Sequence, residues 1–357
     1  MSRTFEDHPV SLKLAEVSPA VLSEPHIRHP GDHIGDRMEN ISEEGIPLHS
    51  VGSSVSSTAE TSATSTTSEA ANYLQTAMPQ VNAFKDLQTA LRQMDSNFIF
   101  PVGTAEAGKT VALYSMLRYL MTTNSPGQLY PFDSTWKAVD QTGKILNEVS
   151  TMFRESKLPA ATHVNYENEF TFTKQANYEF EPNDKKFPPL RLTFVDLGGD
   201  NFESFAKTEH FPPGIDVFFQ VGGLSLTFLL MTSPDRAEKD DHLFSLFLGH
   251  IAKQDPVFRT ARAAIVITKW DTYSGYDSPA EYIEKWMPMT YSATRNPSNA
   301  LMCFTVGTVR KDADGQTEWI KEFNPAPAAA LFKWVYKSIT NVNLDAKPWW
   351  QRFLKGI

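Results

Sequence analysis

Lys109 stands in the stretch "GTAEAGKT", Gly103 to Thr110. Glycines near both ends of such a stretch let the backbone turn its N–H groups inward. The lysine then reaches phosphate oxygens, and the hydroxyl after it ligates Mg²⁺. Gly103, Thr104, Ala105, Glu106, Ala107, Gly108, Lys109, Thr110 and Val111 are the candidate phosphate-binding residues, with Thr110 also a metal ligand.

Two further stretches carry chemistry of the same kind. In "LRLTFVDLGGD", Asp196 ends an apolar run and Gly199 follows three residues later. An aspartate there holds Mg²⁺ through a water, and the Gly199 N–H senses a terminal phosphate. In "AAIVITKWDTY", Thr268, Lys269 and Asp271 follow a second apolar run. Guanine offers two neighbouring N–H donors that one carboxylate accepts, and adenine offers no such pair. Asp271 suits that task, with the Lys269 stem lying along the base. Backbone N–H groups of Val306 and Gly307 in "CFTVGTV" are candidates for the guanine O6. Thr162 in "SKLPAATHVNY" is the candidate second hydroxyl on the metal, with Thr171 and Thr173 as competitors. Each stretch also has a plainer reading, a strand ending in a polar turn, since Asp and Gly are common turn residues.

Apolar periodicity says which elements must position these groups. "AFKDLQTALRQM", "KTVALYSMLRYLM", "STWKAVDQTGKILNEVSTMFRESK", "DDHLFSLFLGHIAKQ", "SPAEYIEKWMPM" and "PAPAAALFKWVYKSIT" read as helices. "NFIFPVG", "LSLTFLLMTS", "AAIVITKWD" and, as the last strand, "ALMCFTVGT" read as buried strands, while "NEFTFTKQANYEFEP" and "PLRLTFVDLGG" read as a hairpin. Helices alternating with continuously apolar strands predict an α/β fold, a mostly parallel sheet covered on both faces with one antiparallel hairpin. Ligands of such sheets sit at the carboxyl ends of the strands, where the candidate stretches fall.

The net charge of −9 argues against a sequence-independent nucleic-acid binder, which would want a basic face, but backbone N–H groups can still hold phosphates. Residues 1–80 include a Ser/Thr-rich tract, Ser50 to Asn72, without aromatics, and read as a disordered tail. Residues 81–357 form the folded domain. The single cysteine, Cys303, excludes an intrachain disulfide and fits a reducing compartment; its plain role is a small apolar residue. The first thirty residues lack the apolar core of a secretory signal, and the longest apolar run, Val217 to Met231, falls short of the about 20 residues of a membrane helix. A cytoplasmic protein is expected.

With the phosphate loop, the Asp–Gly pair and the TKxD tetrad in this order, residues from about Asn97 to Thr340 resemble a P-loop GTPase of the Ras-like, translation-factor-related class. The stretches "GTAEAGKTVALYSML", "LPAAT", "FVDLGG" and "FNPAPAAALFKWVYKSI" are most similar to the bacterial Double-GTPase group. The resemblance implies a P-loop NTPase fold, GTP/GDP and Mg²⁺ binding, switch regions around Thr162 and after Asp196, and a protein partner recognised through them. Three departures stand out. Thr268 replaces the commoner asparagine, and Ala105 and Glu106 replace small glycines. Asp200 occupies the place of the glutamine that orients the attacking water. Asp200 then becomes the candidate water-orienting residue beside Lys109 and Thr162, with Arg154 and Lys157 as internal candidates for an arginine finger. A slow GTPase switch is the leading expectation. A P-loop ATPase and a non-hydrolysing, nucleotide-bound scaffold are the alternatives.

Overall fold

The computed structural model describes residues 85–133, 140–159, 173–211, 213–254, 261–295, 299–312 and 318–345, all within one compact unit. The N-terminal tail and the tryptophan pair Trp349–Trp350 lie outside the described residues, as do Thr162 and Thr171.

Seven strands form one sheet: β1 (Asn97–Val102), β2 (Gly127–Pro131), β3 (Thr173–Pro182), β4 (Leu190–Leu197), β5 (Ser225–Thr232), β6 (Arg262–Thr268) and β7 (Ala300–Phe304). Their spatial order is β2-β3-β4-β1-β5-β6-β7. From β4 to β7 all neighbours are parallel, whereas β2, β3 and β4 pair antiparallel. The chain leaves β1 for one half of the sheet and returns for the other, so the crevice for ligands lies at the carboxyl ends of the central strands.

Strand parity explains the two cores. Phe98, Phe100 and Val102 of β1 join one cluster and Ile99 the other; Phe228 and Leu230 of β5 oppose Leu229 and Met231. Successive side chains of a strand point to opposite faces, so continuously apolar strands require cover on both. One face is covered by α1 (residues 85–93), α4 (Gly199–Thr208), α5 (Pro213–Gln220), α6 (Ala237–Lys253) and α7 (Pro279–Trp286). On the other lie α2 (Lys109–Leu120), α3 (Thr142–Glu155) and α9 (Pro325–Thr340). On the first face, Phe202, Phe205, Phe211, Phe219 and Phe247 meet mostly edge to face. Such pairs contribute about 0.5–1.5 kcal/mol each beyond burial. α7 begins as its Ser-Pro start predicts, with a reciprocal Ser278–Glu281 capping box. Cys303 packs in β7, where burial pushes its thiol up to about 12.

Three departures from the sequence reading have physical causes. β2 was not expected: "GQLYP" is short, and its glycine and proline speak against a strand, which an edge position tolerates. "ALMCFTVGT" does not hold the last strand, because β8 (Gly307–Lys311) and β9 (Glu318–Phe323) follow as a separate antiparallel ribbon. β8 is mostly polar and exposed, so apolar patterning could not mark it. The helix expected over 134–157 covers Thr142–Glu155, and residues 134–139 lie outside the described ones.

Candidate phosphate-binding site

The loop from Gly103 to Gly108 joins β1 to α2, as a phosphate loop must. Gly108 precedes the helix with φ 77°, and Glu106 also takes a left-handed φ of 64°. For a residue with a Cβ that conformation costs roughly 1–2 kcal/mol. The Glu106 side chain is exposed, so its charge faces solvent.

Lys109 is buried, and its ammonium donates to the carbonyls of Gly103 and Thr104, both at 2.8 Å. Burial pushes its pKa down, the Asp196 and Asp240 carboxylates push it back up, and the Arg236 guanidinium pushes it further down. The loop thus holds its lysine curled back onto its own carbonyls.

Two distant segments close on this loop. A Cβ at Gly199 would run into the backbone nitrogen and Cα of Ala105, so the first residue of α4 must be glycine for the two chains to lie this close. Asp196, three residues earlier at the end of β4, is buried, and Asp200 is half-buried in the first turn of α4. From β6, the Thr268 hydroxyl lies 3.0 Å from the Ala107 carbonyl and 2.9 Å from that of Thr232. A Cβ at Gly108 would sit 3.1 Å from the Thr268 side chain. Threonine in place of asparagine therefore still ties the tetrad to the loop.

Beyond Thr268 the arrangement loosens. Lys269 is exposed with φ 50°, and Trp270–Thr272 form a single 3₁₀ turn. Asp271 is exposed on that turn, three residues, or about 10 Å of chain, from the Thr268 anchor. Trp270 stacks on Tyr273 with ring centroids 4.8 Å apart. Val306 is buried and its carbonyl accepts from Asn324 N at 3.0 Å. Gly307 opens β8 with φ 125°, and a Cβ there would strike the Glu322 carbonyl. The ribbon alone accounts for that glycine.

Sequence reasoning missed a buried carboxylate. Thr104 Oγ1 donates to Asp240 Oδ1 at 3.1 Å, and Thr232 Oγ1 donates to Asp240 Oδ2 at 2.8 Å. Asp240 thereby joins the loop, the end of β5 and α6. Burial pushes its pKa up against those hydroxyl bonds. A signal was present: Asp240 lies on the same helical stripe as Leu243, Phe244, Phe247 and Ile251. An acid on an apolar stripe needs polar partners. Its neighbour Asp241 accepts from the N–H groups of Met289 and Thr290 and so caps the short helix α8 (Pro288–Thr294). No cluster of three His, Cys, Asp or Glu suited to a metal occurs among the described residues.

The other candidates fall elsewhere. Arg154 pairs with Glu155 at 3.4 Å near the end of α3, and Lys157 forms a backbone bridge to Trp319. Thr173 opens β3 opposite Leu197, at the same end of the sheet as the loop.

No family model matches the chain, and no curated protein does. Among solved structures it is similar to an ADP-ribosylation-factor-like GTP-binding protein, the small COPII coat GTPase SAR1 from Encephalitozoon cuniculi, in complex with GDP. The identity is 14%, the match covers 80% of this chain and 96% of that one, and the TM-score is 0.29. At that score the likeness carries no argument about ligands. The P-loop NTPase architecture rests on the strand order and the loop themselves. No helix among the described residues is long and apolar enough to cross a membrane.

Proposed function

We propose that this chain binds a guanine nucleoside triphosphate with Mg²⁺ and hydrolyses it slowly to the diphosphate and phosphate, switching its contacts with a protein partner. One observation carries the reading. Three segments far apart in sequence, at Gly103–Lys109, Gly199 and Thr268, lock together around one buried lysine. A polar turn at each strand end gives no reason for such convergence.

In this reading the loop N–H groups cradle the phosphates, and Lys109 exchanges its carbonyl partners for β- and γ-phosphate oxygens. The Gly199 N–H senses the terminal phosphate, and Asp200 orients the attacking water. Thr110 and Asp196 offer hard oxygen donors at the mouth of the loop, which fits Mg²⁺, an ion that keeps several waters and takes few protein ligands. Thr162 is the proposed further donor. When bound, Mg²⁺ would neutralise charge on the β- and γ-phosphates. Lys269 and Asp271 read guanine, with Val306 and Gly307 as candidate O6 contacts. The motif likeness favours the Double-GTPase group within the Ras-like class.

Competition of GTP and ATP for a bound fluorescent guanine nucleotide tests the ligand. Equal competition removes the guanine assignment in favour of an ATPase. Single-turnover phosphate release with Mg²⁺ tests the reaction. Asp200, where a glutamine would orient water, favours the second reading, a nucleotide-bound scaffold that releases no phosphate.

A further inference from the structure

Asp240 is fully buried on a helix stripe that is otherwise apolar core, with Leu243, Phe244, Phe247 and Ile251. Burial works against its charge, while the Thr232 hydroxyl, Arg236, the Thr104 hydroxyl and Lys239 work for it. Replacing a buried ionic group by an apolar side chain of like volume is often neutral or stabilising, so the core does not require a carboxylate here. A side chain that breaks the pattern of its own element is expected where function needs it.

Its two bonds say what it serves. One oxygen is fixed to the sheet: Thr232, the last residue of β5, donates its hydroxyl to Oδ2 at 2.8 Å. The other oxygen holds the loop, where Thr104 Oγ1 donates to Oδ1 at 3.1 Å. Thr104 is also the residue whose carbonyl accepts the Lys109 ammonium at 2.8 Å. Main chain presses on this limb of the loop from two directions. A Cβ at Gly103 would strike the Met231 carbonyl, and one at Gly199 would strike the backbone of Thr104 and Ala105. Steric pressure limits where the limb can lie, but it does not set the direction in which its carbonyls and N–H groups point. A hydrogen bond does, and Asp240 supplies it.

We propose that Asp240 is a positioning residue for phosphate binding: acting through the Thr104 hydroxyl, it holds the first limb of the loop in its receiving shape before a ligand arrives. This rests on the reading of the loop as the phosphate site of a nucleotide. Asp240 itself touches no ligand. A limb ordered in advance loses little freedom on binding, so the gain appears as affinity. Related complexes differ mostly in their dissociation rates, and the loss of the tie should appear there.

The test uses the full chain and a double-mutant cycle of Thr104→Val, Asp240→Leu and both together. Affinity for GDP and for inorganic pyrophosphate is measured by calorimetry, with the GDP dissociation rate and the melting temperature of the unliganded protein. Thr104→Val should weaken GDP about 10–100-fold, mostly by faster dissociation. Thr104→Ser, which keeps the hydroxyl, should recover most of that loss. The double variant should bind GDP within about twofold of Thr104→Val, because the two changes remove the same tie. Its apolar pair should nevertheless melt within about 4 °C of wild type, a separation of binding from stability that a purely structural carboxylate would not produce. Asp240→Ala, which leaves room for water at the two hydroxyls, replaces Asp240→Leu in the cycle if that variant does not fold. Thr104→Val binding GDP within about threefold of wild type overturns the proposal. So do losses that add in the double variant, since Thr104 would then act independently of Asp240. Wild type that binds neither GDP nor pyrophosphate overturns both this proposal and the site reading. Wild type that binds both ligands no more tightly than the double variant overturns the proposal alone.

Discussion

The two ends of the candidate site are built on opposite plans. At the phosphate end Lys109, Thr104, Asp240 and Thr268 are buried and bonded to one another or to nearby backbone. At the base end Lys269 and Asp271 are exposed on one 3₁₀ turn. Groups locked before a ligand arrives lose little freedom on binding, whereas exposed ones must be ordered by it. The phosphate end should therefore supply most of the affinity, and the base end mainly the choice between purines. The largest test of that division is Lys109→Ala. Replacing two charge-assisted hydrogen bonds should weaken every nucleoside diphosphate and triphosphate by roughly 10²–10⁴-fold, with GTP and ATP affected alike. Calorimetric titration of both nucleotides checks it, and a loss confined to GTP would break the comparison.

Asp271→Ala probes the other end. If Asp271 accepts two guanine N–H groups as proposed, its loss should lower GTP affinity about 10–100-fold and leave ATP affinity almost unchanged. Direct competition of the two purine nucleotides measures the ratio. A variant that weakens both equally would mean that the turn serves the phosphate end after all.

The contrast between the ends also governed what could be read from the sequence. The phosphate loop, Asp196 and Gly199 follow apolar strands, and backbone chemistry at strand ends depends on residue types that spacing reveals. Thr268 was legible as a member of the tetrad, but its bonds to Ala107 and Thr232 were not, because they require β6 and β5 to be neighbours. Asp240 escaped for a related reason: it acts through tertiary contacts of α6, where one helix reads like another until its packing partner is known. Among the strands, β1, β4, β5 and β6 announced themselves by apolar runs. β2 and the β8–β9 ribbon lie at an edge or outside the sheet, where burial imposes little pattern.

Thr268→Val keeps the shape beside Gly108 and removes only the hydroxyl. A single neutral hydrogen bond contributes about 1 kcal/mol, so nucleotide affinity should fall roughly fivefold, and equally for GTP and ATP. Equal loss is the informative part, measured in the same competition assay. It would assign Thr268 to holding the phosphate loop, although it sits within the base-reading tetrad.

The smallest effect concerns pH. Burial raises the Asp240 pKa in the folded chain above its ordinary value of 3.8. Between that value and the raised one, the folded state binds more protons than the unfolded state, so this carboxyl makes stability fall as pH rises through the window. Asp240→Asn cannot ionise and lacks that fall. Melting temperatures of both proteins from pH 4 to 7.5 should therefore converge toward acid and separate by a few degrees, roughly 2–4 °C, toward neutrality, with wild type declining relative to the variant. Asp235 titrates with the opposite sign, because the Ser233 hydroxyl holds its pKa below 3.8; its contribution is lost at more acid pH and does not enter the window. A wild type that instead gains on the variant as pH rises would mean that the hydroxyls of Thr104 and Thr232 hold Asp240 as an anion in the folded chain. The phosphate end would then carry a fixed negative charge behind its loop, and its preference for polyanions would rest on Lys109 and the backbone N–H groups outweighing it.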